Sequence, residues 1–154
     1  MTPVRTNYFT YSTPHGPITI VATKRGVCGL TLLQEEFPGE RRASEFTNRA
    51  ATQIQEYLAG RRRVFEVPLD LPGSAFQKAV WAEVCAIPYG QTRTAAEIAD
   101  MIGKPGAHRS VGMAVKRNPV AIIVPAHRIE KSSATGQLAK VYRALRALES
   151  GTRL

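Results

Sequence analysis

Few side chains in this 154-residue sequence are suited to covalent chemistry. The two cysteines, Cys28 and Cys85, both lie in apolar surroundings, Gly-Val-Cys-Gly-Leu and Glu-Val-Cys-Ala-Ile. A cysteine becomes nucleophilic when a basic neighbour lowers its pKa, and the apolar surroundings of Cys85 offer none. The pair also lacks the spacing of a metal site or a disulfide framework. We therefore expect two buried thiols in a reducing compartment, with no metal and no cofactor.

A second set of side chains is suited to binding. Helical spacing predicts a helix from Ala107 to Arg117 with Val111, Ala114 and Val115 facing inward. Another face of this helix carries Arg109, Gly112, Met113 and Lys116. A glycine within a helix costs about 1 kcal/mol relative to alanine. The glycine either packs against the protein on an ordinary solvated basic face or lets a DNA backbone come close, and spacing alone leaves both interpretations open.

The charge balance indicates the kind of partner. Lys and Arg number 21 against 12 Asp and Glu, which gives a formal net charge of +9. This excess suggests a polyanionic partner, although charge does not choose between DNA, RNA, an acidic membrane and a merely basic surface. No apolar run approaches the length of a membrane span, about 20 residues, and no signal peptide is apparent at the N-terminus. We expect a cytoplasmic protein, nucleoid-associated if the source is prokaryotic.

The first part of the chain, residues 1–72, is predicted to form a small α/β lobe. Turn clusters at residues 13–17 and 24–26 separate β-branched and aromatic segments. These segments predict an antiparallel meander with strands at residues 7–12, 18–23 and 27–33. Apolar residues at helical spacing then predict a helix over residues 41–59 that Gly60 ends. An extended linker containing Pro68 and Pro72 follows.

The second part, residues 73–154, is predicted to be helical. Two capping boxes, Ser74-Ala-Phe-Gln77 and Thr94-Ala-Ala-Glu97, each start a helix, and Gly103 ends the second at Ile102. A Pro105-Gly106 turn joins this second helix to the Arg109 helix, which is the outline of a helix-turn-helix. The run from Val120 to Val124 predicts a buried extended segment, and residues 141–149 a final helix. The predicted fold class is therefore α+β.

Three motifs of the second lobe occur in the order and at the spacing of a known family. They are Ile87-Pro-Tyr-Gly-Gln-Thr92, Arg109-Ser-Val-Gly112 and Asn118-Pro-Val-Ala-Ile-Ile-Val-Pro-Ala-His-Arg128. This series resembles the O6-alkylguanine-DNA alkyltransferases, whose last motif reads Pro-Cys-His-Arg. Ala126 stands where the resemblance places the nucleophilic cysteine. A thiolate can take an alkyl group from a damaged base, whereas a methyl side chain cannot.

The resemblance implies that the Arg109 helix enters the minor groove of double-stranded DNA. Arg109 would fill the gap left by a flipped base and recover part of the few kcal/mol that unstacking costs. The implied DNA-binding residues are Thr94, Ala95, Arg109, Ser110, Gly112, Met113 and Lys116. The implied pocket for the alkylated base is formed by Val124, Pro125, Ala126 and Gln137.

The resemblance also assigns roles around the replaced cysteine. Asn118 would shape the turn and brace the active-site segment. In the family the histidine at position 127 activates the cysteine through a water and is oriented by the glutamate that corresponds to Glu149. Without a thiol, we interpret His127 and Glu149 as a remnant hydrogen-bonded pair that holds the loop. For Arg128 we expect a structural salt bridge.

Three positions depart from the family pattern. Ala126 replaces the cysteine, and Ala95 replaces a tyrosine that pushes on the phosphate of the target nucleotide. The family's Gly-Tyr-x-Gly-Gly loop, which forms a wall of the base pocket, is represented by a shortened Gly136-Gln-Leu-Ala139. Changes in three functional places suggest a natural departure from catalysis.

The leading hypothesis is a non-enzymatic, alkyltransferase-like protein that senses O6-alkylguanine by base flipping. We expect it to act as a monomer and to flag lesions for nucleotide-excision-repair proteins. One alternative is a nonspecific DNA-binding relative that has lost lesion selectivity. Another is a Cys-to-Ala form of an active O6-methylguanine-DNA methyltransferase. A fourth hypothesis, alkyl transfer to Cys85, is disfavoured because Cys85 lacks a basic neighbour.

Overall fold

Turn residues and β-branched residues near the N-terminus form a sheet, and helices follow it. The structure, a computed structural model, describes residues 5–131 and 134–151. Contacts within the chain divide it into a first unit, Met1–Pro72, and a second unit, Gly73–Leu154. The division falls at the end of the proline-containing linker. The α+β fold class predicted above is confirmed.

The sheet of the first unit has four strands in the order β3-β2-β1-β4. The strands are β1 (Asn7–Thr13), β2 (Gly16–Ala22), β3 (Val27–Thr31) and β4 (Glu40–Arg41). The first three pair antiparallel, with Phe9 opposite Ile20, so the predicted meander is confirmed. The short β4 pairs parallel with β1 and was not predicted. Two charged residues carry no hydrophobic alternation from which a strand could be inferred.

Helix α1 (Glu45–Leu58) covers this sheet. It begins four residues later than predicted because Ser44 caps it: the Ser44 hydroxyl accepts from the Thr47 amide, and the Thr47 hydroxyl accepts from the Ser44 amide. Ala50, Ile54 and Tyr57 face the sheet and are fully buried at helical spacing.

Four helices form most of the second unit. They are α2 (Ala75–Cys85), α3 (Ala95–Met101), α4 (His108–Lys116) and α5 (Gly136–Ser150). Both predicted capping boxes are present, at Ser74 and at Thr94. The buried indole of Trp81 on α2 donates to the Ala114 carbonyl oxygen on α4 at 2.8 Å. This bond joins the buried face of α4, which carries Val111, Ala114 and Val115, to α2.

Two predictions about the second unit are wrong. The Val120–Val124 run is buried as expected but forms a tight turn, in which Ile122 has φ 75°. A positive φ is unusual for a β-branched residue, so the apolar pattern alone does not reveal this turn. Helix α5 begins at Gly136, five residues before the predicted start. The stretch from Gly136 to Ala139, interpreted above as a shortened loop, is therefore the first turn of α5.

Candidate nucleic-acid interface

Asn118 joins both ends of the turn that precedes Ala126. Its side-chain amide donates to the Val124 carbonyl oxygen at 2.9 Å, and its side-chain oxygen accepts from the Val120 amide at 3.0 Å. The Val124 amide also donates to the Val120 carbonyl oxygen at 3.0 Å. Buried backbone groups need such partners because they are shielded from water. Asn118 therefore fixes the path of the chain into the Pro125-Ala126-His127-Arg128 segment, as the resemblance implied.

His127, Arg128 and Glu149 form a buried network. His127 Nε2 lies 2.6 Å from Glu149 Oε2, and Arg128 donates to both Glu149 oxygens at 2.8 and 3.0 Å. The side chains of His127 and Glu149 are 0% and 3% exposed. Arg128 Nη1 also donates to the Ile87 carbonyl oxygen at 2.7 Å, and Glu149 Oε1 accepts from the Gly90 amide at 3.1 Å. The network therefore ties the motif to α5 and to the segment after α2.

The electrostatics of this network favour a neutral histidine. Burial lowers the pKa of His127 below its ordinary value of 6.5, and the positive charges of Arg128 and Arg146 act in the same direction. The hydrogen bond and negative charge of Glu149 oppose this effect but do not overcome it. Arg128 pairs with the same carboxylate and so offsets its charge. At neutral pH, His127 is therefore an uncharged imidazole held in one orientation by Glu149.

Ala126 occupies the first position of a short 3-10 turn, Ala126–Arg128. The residue is 1% exposed. Its amide donates to the Val124 carbonyl oxygen at 2.8 Å, and its own carbonyl oxygen accepts from the Ile129 amide at 3.1 Å. A methyl side chain offers no lone pair to an electrophile, so this position has a defined backbone and no nucleophile.

The exposed face of α4 carries the predicted binding residues. Arg109, Ser110, Met113 and Lys116 are exposed, whereas the opposite face of the helix is buried. Apart from its chain neighbours and the nearby backbone of its own helix, a Cβ added at Gly112 would meet no atom of residues 5–131 or 134–151 within 4 Å. The packing interpretation of this glycine is therefore wrong for the part of the chain described. The space over Gly112 is open to an outside partner.

A cavity of about 560 Å³ opens beside this face. Five predicted DNA-binding residues line it, namely Ala95, Arg109, Gly112, Met113 and Lys116. The predicted Thr94 caps α3 instead, with its hydroxyl accepting from the Glu97 amide at 3.1 Å. Ser110 borders a separate groove of about 340 Å³, which shares Met113 with the cavity. The structure thus brings most of the predicted binding residues to one concave surface.

The lining of this cavity differs from the predicted base pocket. Val124, Pro125 and Ala126 are buried, and Gln137 is exposed on the first turn of α5, so none of the four lines the cavity. The wall is formed by residues that sequence reasoning missed, namely Val115, Ile129, Glu130, Lys131, Ala134, Leu138 and Tyr142. Leu138 and Tyr142 are four residues apart, as on one face of a helix, and this spacing is the signal from which the earlier start of α5 could have been predicted. Burial raises the pKa of Tyr142 to about 12, so its hydroxyl stays protonated.

Comparison with known proteins places this geometry in a family. Residues 75–152 match the DNA-binding domain of the 6-O-methylguanine DNA methyltransferases, and residues 7–71 match that family's ribonuclease-like domain. The chain belongs to this family. It is 42% identical over 127 residues to the methylated-DNA–protein-cysteine methyltransferase of Methanosarcina barkeri, covering 79% of this chain and 80% of the relative. The Mycobacterium bovis protein of the same name is 41% identical over 128 residues, covering 80% and 77%.

Two solved structures of family members support the same assignment. The crystal structure of the Mycobacterium tuberculosis O6-methylguanine methyltransferase has a TM-score of 0.84 and 37% identity, covering 97% of this chain and 95% of that chain. The Mycobacterium tuberculosis protein in complex with DNA has a TM-score of 0.85 and 39% identity, covering 94% and 93%. These scores confirm the alkyltransferase resemblance and extend it to both units.

The two cysteines of the chain are outside the Pro-Ala-His-Arg segment, and both were predicted to be buried. That prediction is wrong, because Cys28 is partly exposed and Cys85 is exposed at the end of α2. Cys85 also has a basic neighbour, contrary to expectation. Partial desolvation nevertheless raises the pKa of the Cys85 thiol, and the charge of Arg128 offsets this only in part. A raised pKa disfavours the reactive thiolate.

Two further features of the described residues concern metal ions and membranes. Across the two stretches that the structure describes, no three His, Cys, Asp or Glu side chains cluster as metal ligands would. The helices in the same stretches are all too short or too polar to cross a membrane.

Proposed function

We propose that this protein binds double-stranded DNA in DNA repair and senses O6-alkylguanine without removing the alkyl group. One observation carries the proposal: Ala126 stands at the position of the nucleophile, while the hydrogen bonds immediately around it match the roles that the family resemblance assigns. Asn118 still bridges the turn, and His127, Arg128 and Glu149 still form their buried network. The backbone around residue 126 therefore keeps a defined conformation, while the side chain that would accept an alkyl group is missing.

The α4 face supports DNA as the partner. Arg109 and Lys116 provide positive charge, and the open space over Gly112 lets a sugar-phosphate backbone approach the helix closely. The family's DNA-binding domain matches residues 75–152 of this unit, and a related protein has been solved in complex with DNA. In this proposal α4 enters the minor groove, the alkylated base is flipped out, and Arg109 occupies the vacated space.

In this proposal no alkyl group is transferred to the protein, and this determines the stage of repair at which the protein acts. Because no alkyl group is removed, the product of its action is a protein–DNA complex. A lesion marked in this way still needs excision, so we propose nucleotide-excision-repair proteins as the next partners. We also propose that the protein acts as a monomer, since one α4 face and one cavity are enough to hold one extruded base.

The deciding experiment compares two duplexes that differ only by one O6-methyl group on a central guanine. At fixed moderate salt we expect at least tenfold tighter binding to the methylated duplex, which corresponds to about 1.4 kcal/mol. Intact-mass measurement after incubation should show no added methyl group. A stoichiometric gain of one methyl group would contradict the non-enzymatic proposal, and peptide mapping would then test Cys85 as the acceptor.

A variant of Ala126 tests whether the lost nucleophile explains the lost activity. In Ala126→Cys a thiol would again precede His127, whose neutral imidazole can accept its proton through a bridging water, as the family resemblance implies. We expect this variant to gain one methyl group from the methylated duplex, while the matched Ala126→Ser variant gains none because a serine hydroxyl is a weak nucleophile without strong activation. Failure of Ala126→Cys to react would show that the flipped base does not reach residue 126.

The second candidate function is nonspecific DNA binding on the inherited fold. It is favoured by Ala95, which replaces the family's pushing tyrosine, and by the helical first turn of α5, which replaces the family's pocket loop. Its signature in the duplex experiment is equal affinity for both duplexes. The affinity should then fall with salt at a slope of about −0.9 per phosphate contact.

A further inference from the structure

Met113 is the one exposed large apolar side chain on a face of α4 that is otherwise cationic or small. It is 51% exposed, one helical turn after Arg109 and directly after Gly112. Residues four apart lie on the same side of a helix, so Met113 and Arg109 project side by side. A single exposed methionine is ordinary on a protein surface, and it is this position that makes Met113 informative.

Met113 forms a ridge between two depressions. On one side is the cavity of about 560 Å³ that Ala95 and Arg109 also line. On the other is the groove of about 340 Å³ that contains Phe76, Ser110 and Arg117. No side chain at Gly112 shields the base of the ridge, because the space over that residue is open within the described residues. A duplex that approaches α4 closely enough to contact Gly112 must therefore meet the methionine side chain.

We propose that Met113 is an apolar wedge that enters the base stack beside the flipped nucleotide. Minor-groove proteins commonly insert apolar side chains, methionine among them, between base steps and thereby unstack them. The long, flexible thioether of methionine adapts to such irregular gaps. Ala95 at the rim of the same cavity is too small to push on DNA, and in this proposal the wedge supplies part of the missing force. The inference rests on the proposed binding of DNA by α4.

The test measures unstacking directly. A duplex with 2-aminopurine beside the central O6-methylguanine becomes more fluorescent when the neighbouring base unstacks, and a second duplex has unmodified guanine at the same place. For Met113→Gln, which keeps the side-chain length and a similar helix propensity, we expect about half the fluorescence rise or less and about tenfold weaker binding. The salt slope should not change, because methionine contacts no phosphate. Met113→Leu should restore most of both signals.

Met101 provides the matched control. It is also a methionine, also 51% exposed, and it lies at the far end of α3 outside the cavity lining. Met101→Gln should remain within about twofold of the unsubstituted protein in affinity, since scattered surface substitutions have small effects. The wedge is refuted if Met113→Gln leaves fluorescence and affinity unchanged, if the two Gln variants behave alike, or if the unsubstituted protein unstacks neither duplex.

The outcome can be separated from that of lesion sensing. Equal affinity for the two duplexes would refute lesion sensing, yet a fluorescence rise that depends on Met113 in the unmodified duplex would still support the wedge. Conversely, a clear preference for the methylated duplex without any contribution from Met113 would refute the wedge and leave lesion sensing in place.

Discussion

Glu149 holds two cationic or hydrogen-bonding partners at once, His127 at 2.6 Å and Arg128 at 2.8 Å. Removing one partner of a buried ion pair typically costs about 3–5 kcal/mol, because the remaining charge is left in a poor solvent. Disrupting the network should therefore destabilise the fold whether or not a thiol is present. This explains how the histidine and glutamate of a methyltransferase can persist beside an alanine.

The neutral state of His127 predicts a pH-dependent stability. Because burial lowers its folded pKa, the unfolded chain binds a proton near pH 6.5 that the folded chain rejects. The stabilisation that comes from keeping His127 neutral is fully present above pH 6.5 and is lost as the pH falls through the pKa of His127 in the folded protein. We expect urea unfolding to show a lower free energy of unfolding at about pH 5.5 than at about pH 7.5.

Two histidine variants isolate this effect. His127→Gln should flatten the stability profile between these pH values, whereas His108→Gln, at an exposed position on α4, should retain the slope of the unsubstituted protein. The same slope in all three proteins would show that His127 does not titrate between the folded and unfolded states as described.

Arg109 should matter for lesion recognition beyond its charge. Arg109→Ala removes the group proposed to fill the space of the flipped base, so we expect about tenfold or greater loss of affinity for the methylated duplex. Arg143→Ala removes an equal charge from an exposed site on α5 that is outside the cavity lining, and we expect a much smaller loss. Unchanged duplex affinity in Arg109→Ala would contradict the proposed role.

At the level of elements, the Val120–Val124 turn depends on one side chain. Asn118→Ala leaves the Val120 amide without a partner, at a cost of about 1–3 kcal/mol, and removes one of the two donors to the Val124 carbonyl oxygen, which keeps the Ala126 amide. Asn118→Asp keeps an acceptor for Val120 but loses the donor to Val124, so we expect an intermediate free energy of unfolding. The fluorescence of Trp81, the single tryptophan, reports unfolding of this unit. Equal stability of all three proteins would exclude a bracing role.

Elements with strong local signals were predictable from the sequence. Ser74 and Thr94 lie at N-caps with their partners three residues later, and both helix starts were confirmed. Elements whose existence or bounds depend on tertiary contacts could not be predicted from the sequence. Strand β4 exists because Glu40 and Arg42 amides donate to the Thr6 and Tyr8 carbonyl oxygens, and the early start of α5 falls at a glycine that normally discourages a helix.

The residues of the candidate site also divide into those that the sequence could place and those that it could not. Arg109, Gly112 and Lys116 could be placed on one surface from helical spacing alone, since the period of an α-helix determines it. The cavity wall formed by Leu138 and Tyr142 could not, because it requires knowing where α5 begins and what it faces. The family motif predicted the contacts of Asn118 and Glu149, which no local pattern would have revealed.

On the scale of the whole molecule, the positive charge is concentrated in the second unit. Residues 73–154 contain 12 Lys and Arg against five Asp and Glu, whereas residues 1–72 contain nine against seven. Phosphate contacts release counterions and make binding depend on salt. The second unit should therefore account for most of the salt dependence of DNA binding.

Two matched triple variants test this distribution. Replacing Lys104, Lys116 and Arg117 by Gln should reduce the slope of log affinity against log salt by up to about 0.9 for each lost phosphate contact. Replacing Arg61, Arg62 and Arg63 by Gln removes the same charge from the first unit and should leave the slope nearly unchanged. Equal effects of the two triple variants would show that both units contact phosphates.

The alanine in the 3-10 turn has a consequence for copy number in the cell. Residue 126 contributes to the fold through its backbone amide and carbonyl oxygen, so the turn does not depend on a reactive side chain. A protein that accepts an alkyl group covalently is used up by each lesion that it repairs. Under the proposed function, a chain with alanine at this position leaves an encounter chemically unchanged and can be released and reused, so that a few molecules survey many lesions in succession.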